Sequence, residues 1–317
     1  MSKYEFLDRR VPIEEGNIAI VQDLSKCKNC SLCRKACAVD MGVFDYYDLT
    51  TNGDHPICIH CGQCASICPF DSINERSEIN EVKAAIADPN KIVVFQTAPA
   101  VRVGLGEEFG MEAGTFVEGK MVAALRKLGG DYVLDTNFGA DMTIMEEASE
   151  LVERVLNGSG ELPQFTSCCP AWVKFAETFY PEFLPNLSTA KSPIAMQAPT
   201  QKTYFAEKMG IDAKQMVAVA VTPCSAKKFE IRRDEMNSSA EYWGAPEMRD
   251  TDYCITTREL AKWLRAEEVN FDELEDSKFD PLMGEASGGG IIFGNTGGVM
   301  ESAMRTAYKL VTGEDAP

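Results

Sequence analysis

Cys27-Lys-Asn-Cys30-Ser-Leu-Cys33-Arg-Lys-Ala-Cys37 and Cys58-Ile-His-Cys61-Gly-Gln-Cys64-Ala-Ser-Ile-Cys68-Pro69 share one spacing, Cys-x2-Cys-x2-Cys-x3-Cys, and the second run ends in proline. This is the pattern of paired 4Fe-4S sites. The first three cysteines of each run hold one cube, and the fourth reaches across to the other. Cys27, Cys30, Cys33 and Cys68 are therefore expected on one cluster, and Cys58, Cys61, Cys64 and Cys37 on the second. Zinc is the alternative, but it takes four ligands per site and gives no reason for the same spacing twice. His60 lies between ligands and is expected to pack or hydrogen-bond, not to ligate. Lys26, Lys28, Arg34 and Lys35 flank the first run; they either offset cluster charge or dock an acidic electron carrier.

The composition around these runs narrows the class. Of the chain's 12 cysteines, eight lie between Cys27 and Cys68, a density that points to metal or redox chemistry and away from disulfides. A formal charge of −18 over 317 residues argues against a nucleic-acid binder, which would carry basic stripes. No apolar run is long enough to span a membrane. The stretch from Met1 to Gly16 carries Arg9-Arg10 followed by Val-Pro-Ile-Glu-Glu, which does not read as a secretion signal. A cytoplasmic location is expected, with export through a partner subunit left open. Residues 1–17 read as a lead-in. Residues 18–80 read as an α+β two-cluster module opened by a strand at Ile18–Val21, with a polar linker and helix over 70–90.

From Lys91 the texture changes to α/β, and residues 81–317 read as one domain. Ile92-Val-Val-Phe95 is a buried strand ending at Thr97-Ala-Pro-Ala100. Met121, Leu125 and Leu128 recur at helical spacing before Gly129-Gly130. Tyr132–Leu134 is a short strand. Thr143-x-x-Glu146 reads as a capping box opening a helix with Ile144, Ala148, Leu151, Val152 and Val155 on one face, stopped near Gly158. Gln164–Ser167 reads as a strand, Met216–Val221 as a continuous apolar strand, and Tyr253–Ile255 as another. Thr256-x-x-Glu259 caps a helix with Leu260, Trp263 and Leu264 inward. Strands alternating with helices predict parallel βαβ units.

Three loops then follow strand ends: Ala98-Pro99, Cys168-Cys169 and Cys224. In an open parallel sheet such loops border a crevice. Cys168 and Cys169 lie in Thr166-Ser-Cys-Cys-Pro-Ala-Trp172, between a strand and a helix, and read either as reactive thiols or as small buried hydrophobes. Gly284–Gly290, with Gly294 and Gly297-Gly298, fits no dinucleotide or phosphate loop. It is either a flexible turn or backbone that approaches something closely. Cys254, mid-strand, reads as core.

Taken together, the cysteine runs, Thr166–Trp172 and Pro223-Cys-Ser-Ala-Lys-Lys-Phe-Glu-Ile-Arg232 resemble one family, the iron-only (FeFe) hydrogenases. The resemblance extends from Ile18 to Val311 and includes Ala98-Pro-Ala-Val-Arg102 and Gly284–Gly298. It implies a ferredoxin-like two-cluster module followed by an α/β H-cluster domain. The H-cluster is a 4Fe-4S cube bridged to a diiron unit with carbon monoxide, cyanide and a dithiolate. By position, Cys169 and Cys224 are implied as cube ligands, Cys168 as the thiol that passes protons, and Lys227 as the donor to a cyanide. Pro99 and Phe293 are implied to line the diiron pocket. Glu150, Ser188 and Glu230 match the family's proton route. The implied reaction is 2H⁺ + 2e⁻ ⇌ H₂. The implied partners are ferredoxin or another one-electron carrier, maturation proteins and further hydrogenase subunits.

The chain also departs from the family. The cube's other two cysteines come from a downstream Cys-x3-Cys motif, and no cysteine follows Cys254. The expectation is a fragment, with a split subunit or a degenerate relative as alternatives. Ile194, Thr222 and Ala171 replace a glutamine, a methionine and a glycine common in the family. Two other functions remain: a non-catalytic iron-sulfur electron-transfer or assembly protein, and a hydrogen sensor. No nicotinamide or flavin site is visible.

Overall fold

The computed structural model describes residues 9–44, 47, 49 and 52–317. The first eight residues of the expected lead-in lie outside them. The chain forms two compact units. One comprises residues up to Ser77 together with Cys169–Leu184 and Cys224–Glu230; the other comprises Glu78–Cys168, Pro185–Pro223 and Ile231–Pro317.

In the first unit, β1 (Ile20–Gln22) pairs antiparallel with β2 (Ile73–Glu75), Ile20 facing Glu75 and Gln22 facing Ile73. The stretch read as polar linker thus contains a strand. Three residues carry too little periodicity to announce it. Asn17 organises the start of β1: its Oδ1 accepts from the amides of Ala19 and Ile20, both at 2.9 Å. The apolar core is small. Val11, Ala19, Ile20, Ala65 and Ile73 pack with Cys33, Cys37, Cys64 and Cys68. A second group joins Val43, Ile59, Ala171 and Ala226 to Cys37, Cys61, Phe175, Phe179 and Cys224. With so little hydrocarbon to bury, such a unit relies on a bound metal centre to hold its loops together.

The second unit is built on a four-stranded parallel sheet, ordered β4-β3-β5-β6. The strands are β3 (Ile92–Thr97), β4 (Tyr132–Asp135), β5 (Met216–Thr222) and β6 (Tyr253–Thr256). Both faces are covered, which is why β3 and β5 read as unbroken apolar runs. Val93 and Phe95 face Met121, Leu125, Leu260 and Leu264. The intervening Val94 faces Leu134, Phe205 and Met216. Cys254 is fully buried beside Ala220, as core.

Helices α1 (Ile79–Ala87), α2 (Glu118–Lys127), α3 (Thr136–Asn157), α5 (Pro193–Thr200), α6 (Thr257–Ala266), α7 (Gly288–Phe293) and α8 (Gly298–Thr312) belong to this unit, whereas α4 (Pro170–Phe179) belongs to the first. The capping box at α6 forms as read: Thr256 Oγ1 accepts the Glu259 amide and Glu259 accepts the Thr256 amide.

Three further readings are corrected. Thr143 does not open a helix. It sits inside α3, fully buried, with its hydroxyl on the Lys191 carbonyl at 3.2 Å. The cap is Asp135, whose side chain accepts the Asn137 amide. A Thr-x-x-Glu spacing arises readily within a helix, and only the strand ending at Asp135 tells the two apart. Val155, assigned to the buried face, is 58% exposed. Gln164–Ser167 is not a strand of the sheet: it makes one parallel bridge, Phe165 to Leu187. Cys168 therefore follows an irregular segment, not the end of a sheet strand. β3 and β5 are neighbours and parallel, so the Ala98-Pro99 and Pro223 turns leave the sheet at the same edge.

The glycine-rich stretch serves close packing. A Cβ on Gly290 would lie 2.4 Å from the Asn137 carbonyl oxygen, and one on Gly294 would lie 2.8 Å from Pro99 Cγ. Asp141 on α3 secures the approach, accepting from Ser287 Oγ and from the amides of Ser287 and Gly290.

Candidate metal and proton-transfer sites

The two cysteine runs fold the same way. Asn29 and Ser31 in the first run, and His60 and Gly62 in the second, all have positive φ (55°, 67°, 63° and 75°). Three of these are not glycine, a conformation that costs free energy and clusters at ligand sites. It turns amides toward sulfur: the Asn29 amide donates to Cys27 Sγ and the His60 amide to Cys58 Sγ, both at 3.3 Å. The Val11 amide donates to Cys33 Sγ at 3.4 Å.

Cys27, Cys30, Cys33 and Cys68 line one cavity, with Arg10 and Phe70 at its wall. In the second set, Cys37 lies within electrostatic range of Cys58 and Cys61, and Cys64 within range of all three. Burial pushes the thiols up, Cys37 to about 12 and Cys58, Cys61 and Cys64 likewise upward. Buried thiols this reluctant to ionise become thiolates only against cationic iron, so loading a cluster releases protons. Among the described residues, no three His, Cys, Asp or Glu side chains converge as around a single ion. Thiolates on the corners of a cube stand further apart than on one ion. The residues present fit two cubes.

Cys169 and Cys224 belong to the same unit and lie within electrostatic range of each other. Burial raises Cys224, with the Lys227 ammonium opposing. Lys227 is itself buried and donates to both oxygens of Glu230, at 3.0 and 2.8 Å. In the other unit, Pro99 lines a cavity of about 410 Å³ with Arg102, Asn137, Phe279 and Asn295. Phe293, at the end of α7, is partly buried beside Gly294. At the edge where β3 and β4 end, Gln96 Oε1, Thr97 Oγ1, Thr136 Oγ1 and Asn137 Oδ1 are buried without a hydrogen-bond partner. Such orphans suit a bound polar group or ordered water, and fit an H-cluster domain.

Glu150 and Ser188 meet as expected: Ser188 Oγ donates to Glu150 Oε2 at 2.7 Å. Burial works against Glu150 ionising, but Ser188, Arg154 and the Thr189 amide outweigh it and hold the carboxyl below its usual range. Arg154 donates to Glu150 Oε1 at 2.6 Å and to the carbonyls of Glu161 and Leu187.

Glu147 escaped the reading of the sequence. It lies one turn before Glu150 on α3, is 1% exposed, and neither of its carboxyl oxygens has a hydrogen-bond partner. Burial pushes it up to about 7, the Ser167 amide pulling it down, the Glu150 charge adding to the rise and Ser188 opposing it. The Ser167 amide and Ser188 hydroxyl face this carboxyl without closing to hydrogen bonds. The available signal was a carboxylate on the apolar stripe, three after Ile144 and one before Ala148.

The linkage gives a prediction. A carboxyl raised from 4.5 to about 7 by folding is protonated in the fold while the unfolded chain ionises. Its contribution, roughly 3 kcal/mol, is present below pH 4.5 and is lost as pH rises through 7. Urea melts of Glu147→Gln against the parent should show the variant gaining relative stability between pH 4.5 and 8. Parallel pH curves would contradict the assignment.

Paired cluster loops and a two-thiol site in one unit, and a file of acids in the other, define an iron-sulfur redox protein. The family "iron only hydrogenase large subunit, C-terminal domain" matches residues 91–317, and "4Fe-4S dicluster domain" matches 19–69. The chain belongs to the iron-only hydrogenase large-subunit family. The dicluster domain implies 4Fe-4S clusters, and the hydrogenase family the H-cluster.

The chain is 45% identical over 313 residues to the NADP-reducing hydrogenase subunit HndD of Solidesulfovibrio fructosivorans, covering 93% of this chain and 52% of that one. It is 48% identical to the periplasmic Fe hydrogenase large subunit of Nitratidesulfovibrio vulgaris, covering 82% and 68%. The apo FeFe hydrogenase HydA1 of Chlamydomonas reinhardtii superposes with a TM-score of 0.68 at 44% identity, over 76% of this chain and 60% of that one. A more distant relative, at 32% over 81% of this chain and 55% of its own length, is the cytosolic iron-sulfur assembly component 3 of Bos taurus. The chain spans about half the length of the first of these relatives. No helix among the described residues is long and apolar enough to cross a membrane.

Proposed function

We propose that this chain provides the electron-input and proton-delivery parts of a hydrogenase catalytic subunit, for 2H⁺ + 2e⁻ ⇌ H₂. Residues 18–80 form the two-cluster module and 81–317 the H-cluster part. The H-cluster, when bound, supplies the redox centre at which protons and electrons combine. Cys27, Cys30, Cys33 and Cys68 hold one electron-carrying cluster, and Cys37, Cys58, Cys61 and Cys64 the other. Cys30 is exposed, as are Lys26, Lys28 and Lys35 around it, and this face suits an acidic one-electron carrier such as a ferredoxin. Cys169 and Cys224 hold the cube. Lys227, kept in place by Glu230, offers an ammonium to an anionic ligand. Pro99 and Phe293 wall the diiron pocket and exclude water. Maturation proteins install the diiron unit, further subunits are open, and the location is cytoplasmic.

The observation that carries the proposal is the file Glu150, Ser188, Glu147 in the interior, ending at the residue before Cys168. Glu150 holds a proton acceptor toward solvent, Ser188 bridges, and Glu147, pushed up to about 7, both gives and takes protons near neutrality. Glu230 was expected in the same route; both its oxygens accept from Lys227, and we assign it to positioning that ammonium.

The assembly-protein reading is favoured by the Bos taurus relative. It needs no acid file. Hydrogen evolution from reduced viologen after maturation separates the two: Glu147→Gln should lower the rate by about 10²-fold or more with the 4Fe-4S signals unchanged. An unaltered rate would remove Glu147 from the route.

A further inference from the structure

His60 sits between two ligands of the second cluster, and its surroundings are unusually well defined. Asn17 Oδ1 already accepts two amides, so the His60 Nδ1 that lies 3.2 Å from it must be the protonated nitrogen. That leaves Nε2 as an acceptor, and Lys174 Nζ occupies it at 2.8 Å. Lys174 also lies over the Phe229 ring at 4.6 Å, and His60 stacks on the same ring at 4.8 Å. The His60 carbonyl accepts from Ser225 Oγ at 2.7 Å. A Cβ on Gly62 would lie 2.4 Å from that hydroxyl. Lys174 is thus a cation fixed one imidazole away from the Cys58 ligand loop, in apolar company. The opposing charge is Glu14, which accepts from Asn17 at 3.0 Å and lies 3.9 Å from His60 Nε2.

We propose that Lys174, seated on His60 and Phe229, is a positioning residue that raises the reduction potential of the second 4Fe-4S cluster. The inference rests on the two-cluster reading alone. Reduction adds an electron to a cluster, and a fixed cation nearby favours the more negative state, most strongly where water is excluded. Asn29 stands in the first run where His60 stands in the second, so the first cluster lacks the imidazole that seats this lysine; Arg10 and Lys28 line its own cavity.

The test is an EPR-monitored redox titration at pH 8 of the full chain with reconstituted clusters. Lys174→Met should lower one midpoint potential and leave the other in place. Glu14→Gln should raise the same one, and Lys174→Arg should leave both near the parent values. Glu14→Gln leaves the His60–Lys174 bond intact and carries the test alone if Lys174→Met loses its second cluster. Opposite shifts of one cluster support the proposal. Unchanged potentials, or both clusters moving together, overturn it. A parent chain without two 4Fe-4S signals would instead overturn the two-cluster reading.

Discussion

Cys168→Ser is expected to leave the iron-sulfur clusters in place and to lower hydrogen turnover by at least about 10²-fold. Serine matches cysteine closely in size, so packing around Thr166–Trp172 should change little. The proton chemistry changes greatly. A thiol titrates near 8.5 and exchanges protons near neutrality, whereas an alcohol does not. Because Cys168 follows the residue whose amide faces Glu147, a hydroxyl there would stall the file at its inner end. Cluster content by EPR and hydrogen output by gas chromatography check both halves. The neighbouring Cys169→Ser should act differently, disturbing the cube and not only the proton step. Equal behaviour of the two variants would undo the division of labour between them.

Asp135→Ala is expected to destabilise the second unit by about 3–5 kcal/mol, the range for breaking a buried ion pair from one side. Asp135 does three things. It ends β4, caps α3 by accepting the Asn137 amide at 3.0 Å, and pairs with Arg102 through contacts of 2.6 and 3.0 Å. Both side chains are under 10% exposed. Glu118 is the other carboxylate on Arg102 and is more open to solvent. Removing Asp135 leaves the guanidinium half compensated in the interior, and loss of the cap adds about 1 kcal/mol. Urea denaturation of the variant should show the lower midpoint with an unchanged slope. A loss below about 1 kcal/mol, the scale of a surface pair, would mean that Glu118 alone satisfies Arg102.

Much of this architecture was legible in the sequence, for identifiable reasons. The unbroken apolar runs of β3 and β5 announced strands buried on both faces, and the Thr256 capping box formed as written because strand and helix abut there. The duplicated cysteine spacing carried even the backbone, with matching positive φ at Asn29 and His60. The failures were equally physical. Thr143-x-x-Glu146 imitated a cap because nothing local distinguishes a buried threonine inside a helix from one at its start. Gln164–Ser167 has strand composition but only Leu187 to pair with. At the site, spacing pointed to the eight cluster cysteines, while Cys168, Cys169, Cys224 and Lys227 came from the family resemblance. Glu147 remained hidden because its importance lies in burial without a partner, which depends on elements far away in the chain.

Infrared spectroscopy after maturation tests the central claim most directly. The chain is matured alone, and also together with a polypeptide carrying the part of its longer relatives that it does not span. The account predicts carbon monoxide and cyanide stretching bands, with hydrogen evolved from reduced viologen, in at least one of the two preparations. Intact 4Fe-4S clusters with neither bands nor hydrogen in either preparation would contradict it.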